Sequence, residues 1–401
     1  MARWRYIPEL LDRHAEDLAF LAGQRRDALQ SPRHTLREFG ELNERIEAHV
    51  QGLLVAPAQT LLARLEPQLH GDDRDEAFAA AYALLRREAP STQQAVLAGF
   101  GQASGAALLG LRDAFSLAPL GAHQPALLAL AERAAAPVAA AAAVVLANHR
   151  QLDGALPRLQ DLLLDEDAAV CRAAWLAALH ADARAGAPAH KRPYQHALGH
   201  ASAAVRYAAW AAAAWTGQAQ ALPLLRHVAA GDDAVALHWL AVLGGIEDVA
   251  TVQRAALRLD DAQARCTLLS RFGHPSALNA LVRWMGEDDV ALAAASGEAF
   301  TRITGIDVRG ERRPLPVPEQ ADAFEREMAP LVWLPDADKA RTLVSERGAE
   351  WIASPRWCNG VRVDGPLPPD ALLPFDLQAR WDIGARAALA GRPVCSPPPI
   401  H

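Results

Sequence analysis

Lysine is almost missing from this 401-residue chain: Lys191 and Lys339 stand alone among 40 cationic side chains, so arginine carries the positive charge. The formal net charge is −7 and the isoelectric point near 6.1, which argues against a general nucleic-acid binder with its net basic face. Cysteine is also sparse. Cys171, Cys266, Cys358 and Cys395 lie far apart with no C-x-x-C pairing, and two of them fall in apolar helical stretches. They read as small buried hydrophobes in a reducing compartment. Long apolar runs are missing as well. The opening MARWRYIPELLDRHAED has no uninterrupted apolar core of the signal-peptide kind. The longest alanine-rich run, residues 134–147, contains Pro137 and at about 14 residues is too short to span a bilayer. A cytoplasmic protein with no membrane partner is expected. Ile, Thr, Tyr and Phe are scarce, whereas Ala and Leu dominate a 51% hydrophobic composition. That bias favours helix over sheet.

What the chain does have is a repeating sentence. Residues 165–180 (DEDAAVCRAAWLAALH) open on acids, run into Ala, Val, Leu and Trp, and stop near His180. The pattern returns at 232–245 (DDAVALHWLAVLGG), 260–273 (DDAQARCTLLSRFG) and 288–300 (DDVALAAASGEAF), with a Ser202 variant at 202–215. Each unit reads as helix A, a short acidic or Gly/Pro turn, then helix B. The A helices are expected at 60–70, 125–135, 155–164, 221–230 and 277–285. The B helices are expected to begin near Asp73, Ser104, Pro137, Asp167, Ser202, Asp232, Asp260 and Asp288. The acid or serine that opens helix B can accept hydrogen bonds from free first-turn amides and faces the positive end of the helix dipole. Acidic pairs recurring once per repeat therefore read as helix caps and not as general acids. No helix pair of this kind covers its own apolar face, so successive pairs must stack.

Three segments follow. Residues 1–57 are expected to form an N-terminal helical cap, with helices over 7–29 and 36–54 separated by Ser31-Pro32. Residues 58–304 form the repeat array. Residues 305–401 form a small Trp/Pro-rich C-terminal cap: a linker at 305–318, two short helices of which Asp336 caps the second, a hairpin at Asn359-Gly360, a closing helix over 376–389 and a proline-rich end. Trp333, Trp351, Trp357 and Trp381 are expected to fold this segment onto the last repeat.

The D-D-x-x-V-x-x-x-A-x-x-A-L unit resembles HEAT and phycobilisome-lyase-like HEAT repeats, which implies an all-α, right-handed superhelix (a solenoid). The layout also resembles a family of proteobacterial HEAT-repeat proteins whose genes tend to lie beside type VI secretion components. The likeness is carried by Pro8-Glu9-Leu10-Leu11 with Arg13-His14-Ala15-Glu16-Asp17 and Phe20-Leu21, and by Leu42-Asn43-Glu44-Arg45 with Glu47-Ala48-His49. It continues in Gly297-Glu298-Ala299-Phe300 with Ile303-Thr304-Gly305, and from Asn359 onward. The resemblance implies an adaptor or an immunity protein that binds an effector or secretion component, and it carries no catalytic residues.

No Ser/His/Asp arrangement, phosphate loop or paired-carboxylate site stands out, so the expectation is no catalytic residue, no metal, no cofactor and no small-molecule substrate. His180, His190, His196 and His200 crowd the longest repeat, where residues 181–193 are inserted. His196 and His200 share a helical face, yet no acid or cysteine completes a metal set within it. No His-Glu dipeptide occurs, which removes the di-iron hydroxylases built from HEAT repeats. Trp175, Tyr207, Trp210 and Trp239 recur on successive B helices with Arg172, Arg206 and Arg265 nearby. One reading puts the tryptophans in the shared core. The other places Arg172, Trp175, Arg206, Tyr207, Trp210, His238, Trp239 and Arg265 along a groove that holds an acidic or extended protein segment. The alternative function is a HEAT-like DNA glycosylase, whose aromatic column is present here but whose basic field is not; a pigment-protein chaperone follows from repeat type alone.

Overall fold

The computed structural model describes residues 6–184, 190–318 and 320–400. These residues are mostly helical with a few short strands, in a solenoid-like all-α fold. No helix among them is long and apolar enough to cross a membrane. The part of the 181–193 insertion at 185–189 lies outside the described residues, as do positions 1–5 of the amino-terminal stretch.

The chain divides into two compact units, cut at Gln218/Ala219 and not along the cap–array–cap boundaries. The first holds α1 (Pro8–Ala28), α2 (Leu36–Leu53), α3 (Ala58–Leu65), α4 (Arg74–Arg86), α5 (Pro90–Gln102), α6 (Gly105–Leu117), α7 (Gln124–Arg133), α8 (Ala136–Asn148), α9 (Pro157–Leu162), α10 (Ala168–Asp182), α11 (Tyr194–Leu198) and α12 (Ala203–Trp215). Within it α4, α6, α8, α10 and α12 pack side by side in that order, as expected of B helices. In α1 the apolar stripe buries Leu11, Leu18 and Leu21, but Leu10 is exposed. Alanine sets the layer spacing, and residues 138–147 of α8 are buried without a break. At Gly110 the approach is closest: a Cβ there would lie 2.3 Å from the Arg74 carbonyl oxygen and 2.8 Å from the Phe78 nitrogen. Backbone meets backbone between α4 and α6, and only glycine fits.

The second unit holds α13 (Leu222–Ala230), α14 (Ala234–Leu243), α15 (Val249–Arg258), α16 (Ala262–Phe272), α17 (Leu278–Trp284), α18 (Val290–Thr304), β1 (Arg309–Pro314), α19 (Ala323–Glu327), β2 (Leu331–Pro335), α20 (Ala337–Ile352), β3 (Trp357–Cys358) and β4 (Val361–Arg362). Here α14, α16 and α18 are the successive B helices. A last helix, α21 (Leu377–Leu389), gives residues 377–384 to the first unit.

Helix starts follow the local rule. Asp73, Asp167, Asp233, Asp261 and Asp289 each accept from amides two or three residues on, and Asp336 caps α20 through the Lys339 amide. Ser104 and Ser202 make no side-chain cap, so the serine variants start their helices without one. Residues 305–318 depart from the expected linker: β1 lies within them and pairs antiparallel with β2. Its sequence RGERRP has no apolar alternation to announce a strand. Arg309 and Arg312 instead sit over the Trp333 ring of β2, at 5.6 and 4.4 Å from its centroid. Asn359 and Gly360 both take positive φ and close the small β3–β4 hairpin.

Helix ends are finished from a distance. In the second unit residues 356–360 run across the C-termini of α14, α16 and α18. The buried Arg356 guanidinium donates to the carbonyls of Ala241 (2.8 Å), Val242 (3.1 Å) and Gly244 (2.6 Å). The Trp357 amide donates to Gly273, and the amides of Asn359 and Gly360 to Arg302 and Ile303. Gly273 and Gly305 end α16 and α18 in the left-handed region, and their missing Cβ atoms leave room for the Trp357 and Asn359 carbonyls. In the first unit the Trp381 indole donates to the Leu29 carbonyl, and Ile400 pairs with Asn148 through two hydrogen bonds. The four C-terminal tryptophans therefore do not form one cluster on the last repeat: Trp333, Trp351 and Trp357 belong to the second unit and Trp381 to the first.

Two substitutions test this scheme by denaturant unfolding. Arg356→Ala strips three buried carbonyls of their donor and is expected to cost about 3 kcal/mol. Gly110→Ala forces α4 and α6 apart and is expected to cost about 2 kcal/mol or more. Wild-type midpoints in either variant would contradict the packing described.

Candidate functional site

Three of the aromatic residues expected to line a groove lie in the core. Trp175, Trp210 and Trp239 are 0, 2 and 5% exposed. They fill the gaps that surrounding alanines leave between layers, and Trp175 packs against Tyr194 with ring centroids 4.9 Å apart. An indole with no free surface cannot touch a partner while its layer is intact, so these three leave the partner-facing set. Their burial also takes three of the four rings of that aromatic column out of reach of a stacking base, leaving Tyr207 partly exposed.

Arg206 and Arg265 occupy equivalent positions, the fourth residue of α12 and of α16, and make equivalent bonds. Each reaches six residues back, Arg206 to the His200 carbonyl at 2.8 Å and Arg265 to the Leu259 carbonyl at 2.7 Å. Arg265 also lies over the Trp284 ring. Both pin the turn that leads into their helix. His238 contacts the Trp239 ring edge-on and lies 3.2 Å from an Arg271 nitrogen. Arg172, Arg206 and Tyr207 belong to the first unit, His238 and Arg265 to the second, and all five are partly exposed.

Arg172 leads to a set of residues that the repeat pattern alone does not reveal. The first unit gathers Arg25 and Arg26 from the last turn of α1, Arg74 from the first turn of α4, Arg112 from the middle of α6 and Arg172 from α10. Two carboxylates serve them. Asp113 takes Arg74 on one oxygen (2.5 Å to Nη2) and Arg112 on the other (2.7 Å to Nη2), and Asp75 pairs with Arg26. Arg25, buried beneath Phe39 at 5.0 Å from its ring centroid, donates to Asn43 at 2.7 Å. Burial pushes the Arg25 guanidinium down to about 10, with Asp113 and Tyr82 opposing. Burial likewise lowers Arg74 and Arg172, and Arg112 adds to the lowering of both. The signal for this cluster was the Arg112-Asp113 pair inside the otherwise apolar GAALLGLRDAFSL, a costly placement unless the charges are shared.

The histidines of the long repeat do not converge. His196 and His200 lie 6.3 Å apart, edge to face, and His200 Nδ1 accepts from the Ser202 amide. Among the described residues no three His, Cys, Asp or Glu side chains come together as metal ligands. His180 is instead half-buried in the first unit, and burial drives it down to about 4. Cys171 and Cys266 are buried as expected, and burial raises the Cys171 thiol to about 11.

With this geometry in hand, comparison with known proteins adds no relative: no protein-family model matches the chain, and no functionally curated protein matches it in sequence.

The histidine burial sets a pH dependence. His180 titrates near 6.5 when unfolded and near 4 when folded, so the unfolded chain takes up its proton first on acidification. Its contribution is complete above pH 6.5 and falls away towards pH 4, a loss of about 3 kcal/mol. Unfolding midpoints measured between pH 7 and 4 are expected to drop, and to drop less in His180→Gln; equal slopes would contradict the assignment.

Proposed function

We propose that this chain is a non-catalytic, cytoplasmic protein-binding scaffold whose partner lies along the arginine-bearing face of the first unit. The observation that carries the reading is that Arg26, Arg74 and Arg172, from three separate helices, stay partly exposed while Arg25 and Arg112 are buried, in a protein whose net charge is −7. Rigid helical layers hold cationic forks in fixed positions, which suits recognition of a shaped acidic surface more than diffuse attraction. Arginine is also among the residues enriched at binding hot spots. The resemblance of the ends and repeats to HEAT proteins encoded beside type VI secretion components supplies the biological setting. The partner is then an effector or a secretion component, and the chain is the adaptor that hands it over or the immunity protein that neutralises it. Neither role asks for a cofactor or a small-molecule substrate.

The test is co-expression with the products of the adjacent genes, followed by gel filtration. One secretion-system protein is expected to co-elute with the full chain in a salt-sensitive complex. The proposal fails if none associates at micromolar concentration.

A further inference from the structure

We infer that His14 and His49 form a binding site for a divalent transition-metal ion, zinc being the ion it suits, and that the bound ion clasps α1 to α2 in the first unit. The site goes beyond the scaffold reading and does not depend on it. His14 lies in the second turn of α1, and His49 in the last two turns of α2. The two helices pack against each other, and both rings stay partly exposed where they meet. Their Nδ1 atoms lie 3.2 Å apart, with the ring planes at 71°.

Two nitrogens on one tetrahedral zinc, each at about 2.0–2.1 Å from it, lie about 3.3 Å from one another. The rings therefore already stand at the separation that a shared ion imposes. Without an ion, one Nδ1–H donates to the other Nδ1, and the pair is a single hydrogen bond between neutral rings. With one, the metal takes the place of that shared proton, which moves to Nε2 of its own ring, and both Nδ1 lone pairs become ligands. Imidazole nitrogen suits zinc, copper and nickel, whereas magnesium and calcium take oxygen.

The His14 ring is placed by what α2 lacks. A Cβ at Gly52 would lie 2.5 Å from His14 Nε2 and 2.7 Å from its Cδ2, so the ring occupies a notch that glycine leaves open. Gly52 is three residues beyond His49 and shares its helical face. Asp17, three residues beyond His14 on α1, places Oδ2 3.7 Å from His49 Nδ1. That is too far for a hydrogen bond to the ring, but it sets a negative charge beside the ion and an acceptor for water bound to it. No set of three His, Cys, Asp or Glu ligands forms among the described residues, so the pair supplies two ligands and water the rest. The histidines are 35 residues apart in the chain, which is why no local motif announces them.

The experiment uses the full chain without an affinity tag, stripped with chelator and titrated by calorimetry with zinc chloride and, separately, magnesium chloride. Saturable uptake of zinc at micromolar concentration is expected, and none of magnesium. Asp17→Asn is expected to weaken zinc binding about tenfold, and His14→Gln or His49→Gln about a hundredfold or more. His196→Gln, in the other close histidine pair, is expected to bind as wild type. Zinc is also expected to raise the melting temperature of the wild type and not that of the His14 and His49 variants. No saturable uptake below about 1 mM zinc, or wild-type uptake by either of those variants, overturns the site. Uptake abolished by His196→Gln moves the ion to the repeat histidines and overturns it as well. A melting temperature that zinc leaves unchanged overturns the clasp. If a histidine variant is unfolded in the metal-free melt, Gly52→Ala takes its place: it keeps both ligands and favours helix but drives the His14 ring from its notch, and it must lose about tenfold or more.

Discussion

An α-helix leaves the carbonyls of its last turn without partners, and burial makes each one costly. A stack of short helices multiplies those ends, and this chain answers them with side chains and backbone brought from elsewhere. Arg356 serves α14, the amides of 357, 359 and 360 serve α16 and α18, and Trp381 serves α1. The same device recurs inside the first unit. His149 bonds the Phe115 carbonyl at the end of α6, and Arg184 reaches the carbonyls of Arg150 and Leu152 just beyond α8. The positive groups also sit where the helix dipole favours them.

That division explains what the sequence could show. N-caps were legible because the acid and the amide it serves lie two or three residues apart, as at Asp289 with Ala291 and Leu292. Helix pairs were legible from the spacing of Leu and Ala. The C-terminal closures were not, because Arg356 and its Ala241 acceptor are 115 residues apart and nothing local links them. Strand β1 escaped for another reason: its side chains are all exposed, so it carries no alternation to read. The equivalence of Trp175 and Trp210 could be read from their spacing, but not the face they occupy. Tryptophan suits both a core and a contact surface. Burial decides it, and the surrounding alanines are the reason the rings fit.

The arginine-for-lysine bias takes on structural meaning in this setting. Reaching several carbonyls at once, as Arg356 does, needs a planar group with donors on both edges. Sharing Asp113 between Arg74 and Arg112 needs two forks, one to each oxygen. An ammonium would satisfy either arrangement only in part. Residues that finish the fold and residues that gather charge in the first unit are thus the same chemical type, which is why composition alone could not separate them.

The lining of the helix ends by late residues bears on the order in which the molecule can be made. Translation delivers α14, α16 and α18 long before residues 356–360, and α1 and α8 before residues 381 and 400 that bond to Leu29 and Asn148. At about 5–20 residues per second, the nascent helices wait from a few seconds for α18 to about a minute for α1 with open ends. Each unit thus reaches its final bonding only after residues 356–400 have left the ribosome, so the earlier layers hold open ends until those late residues arrive instead of closing one by one.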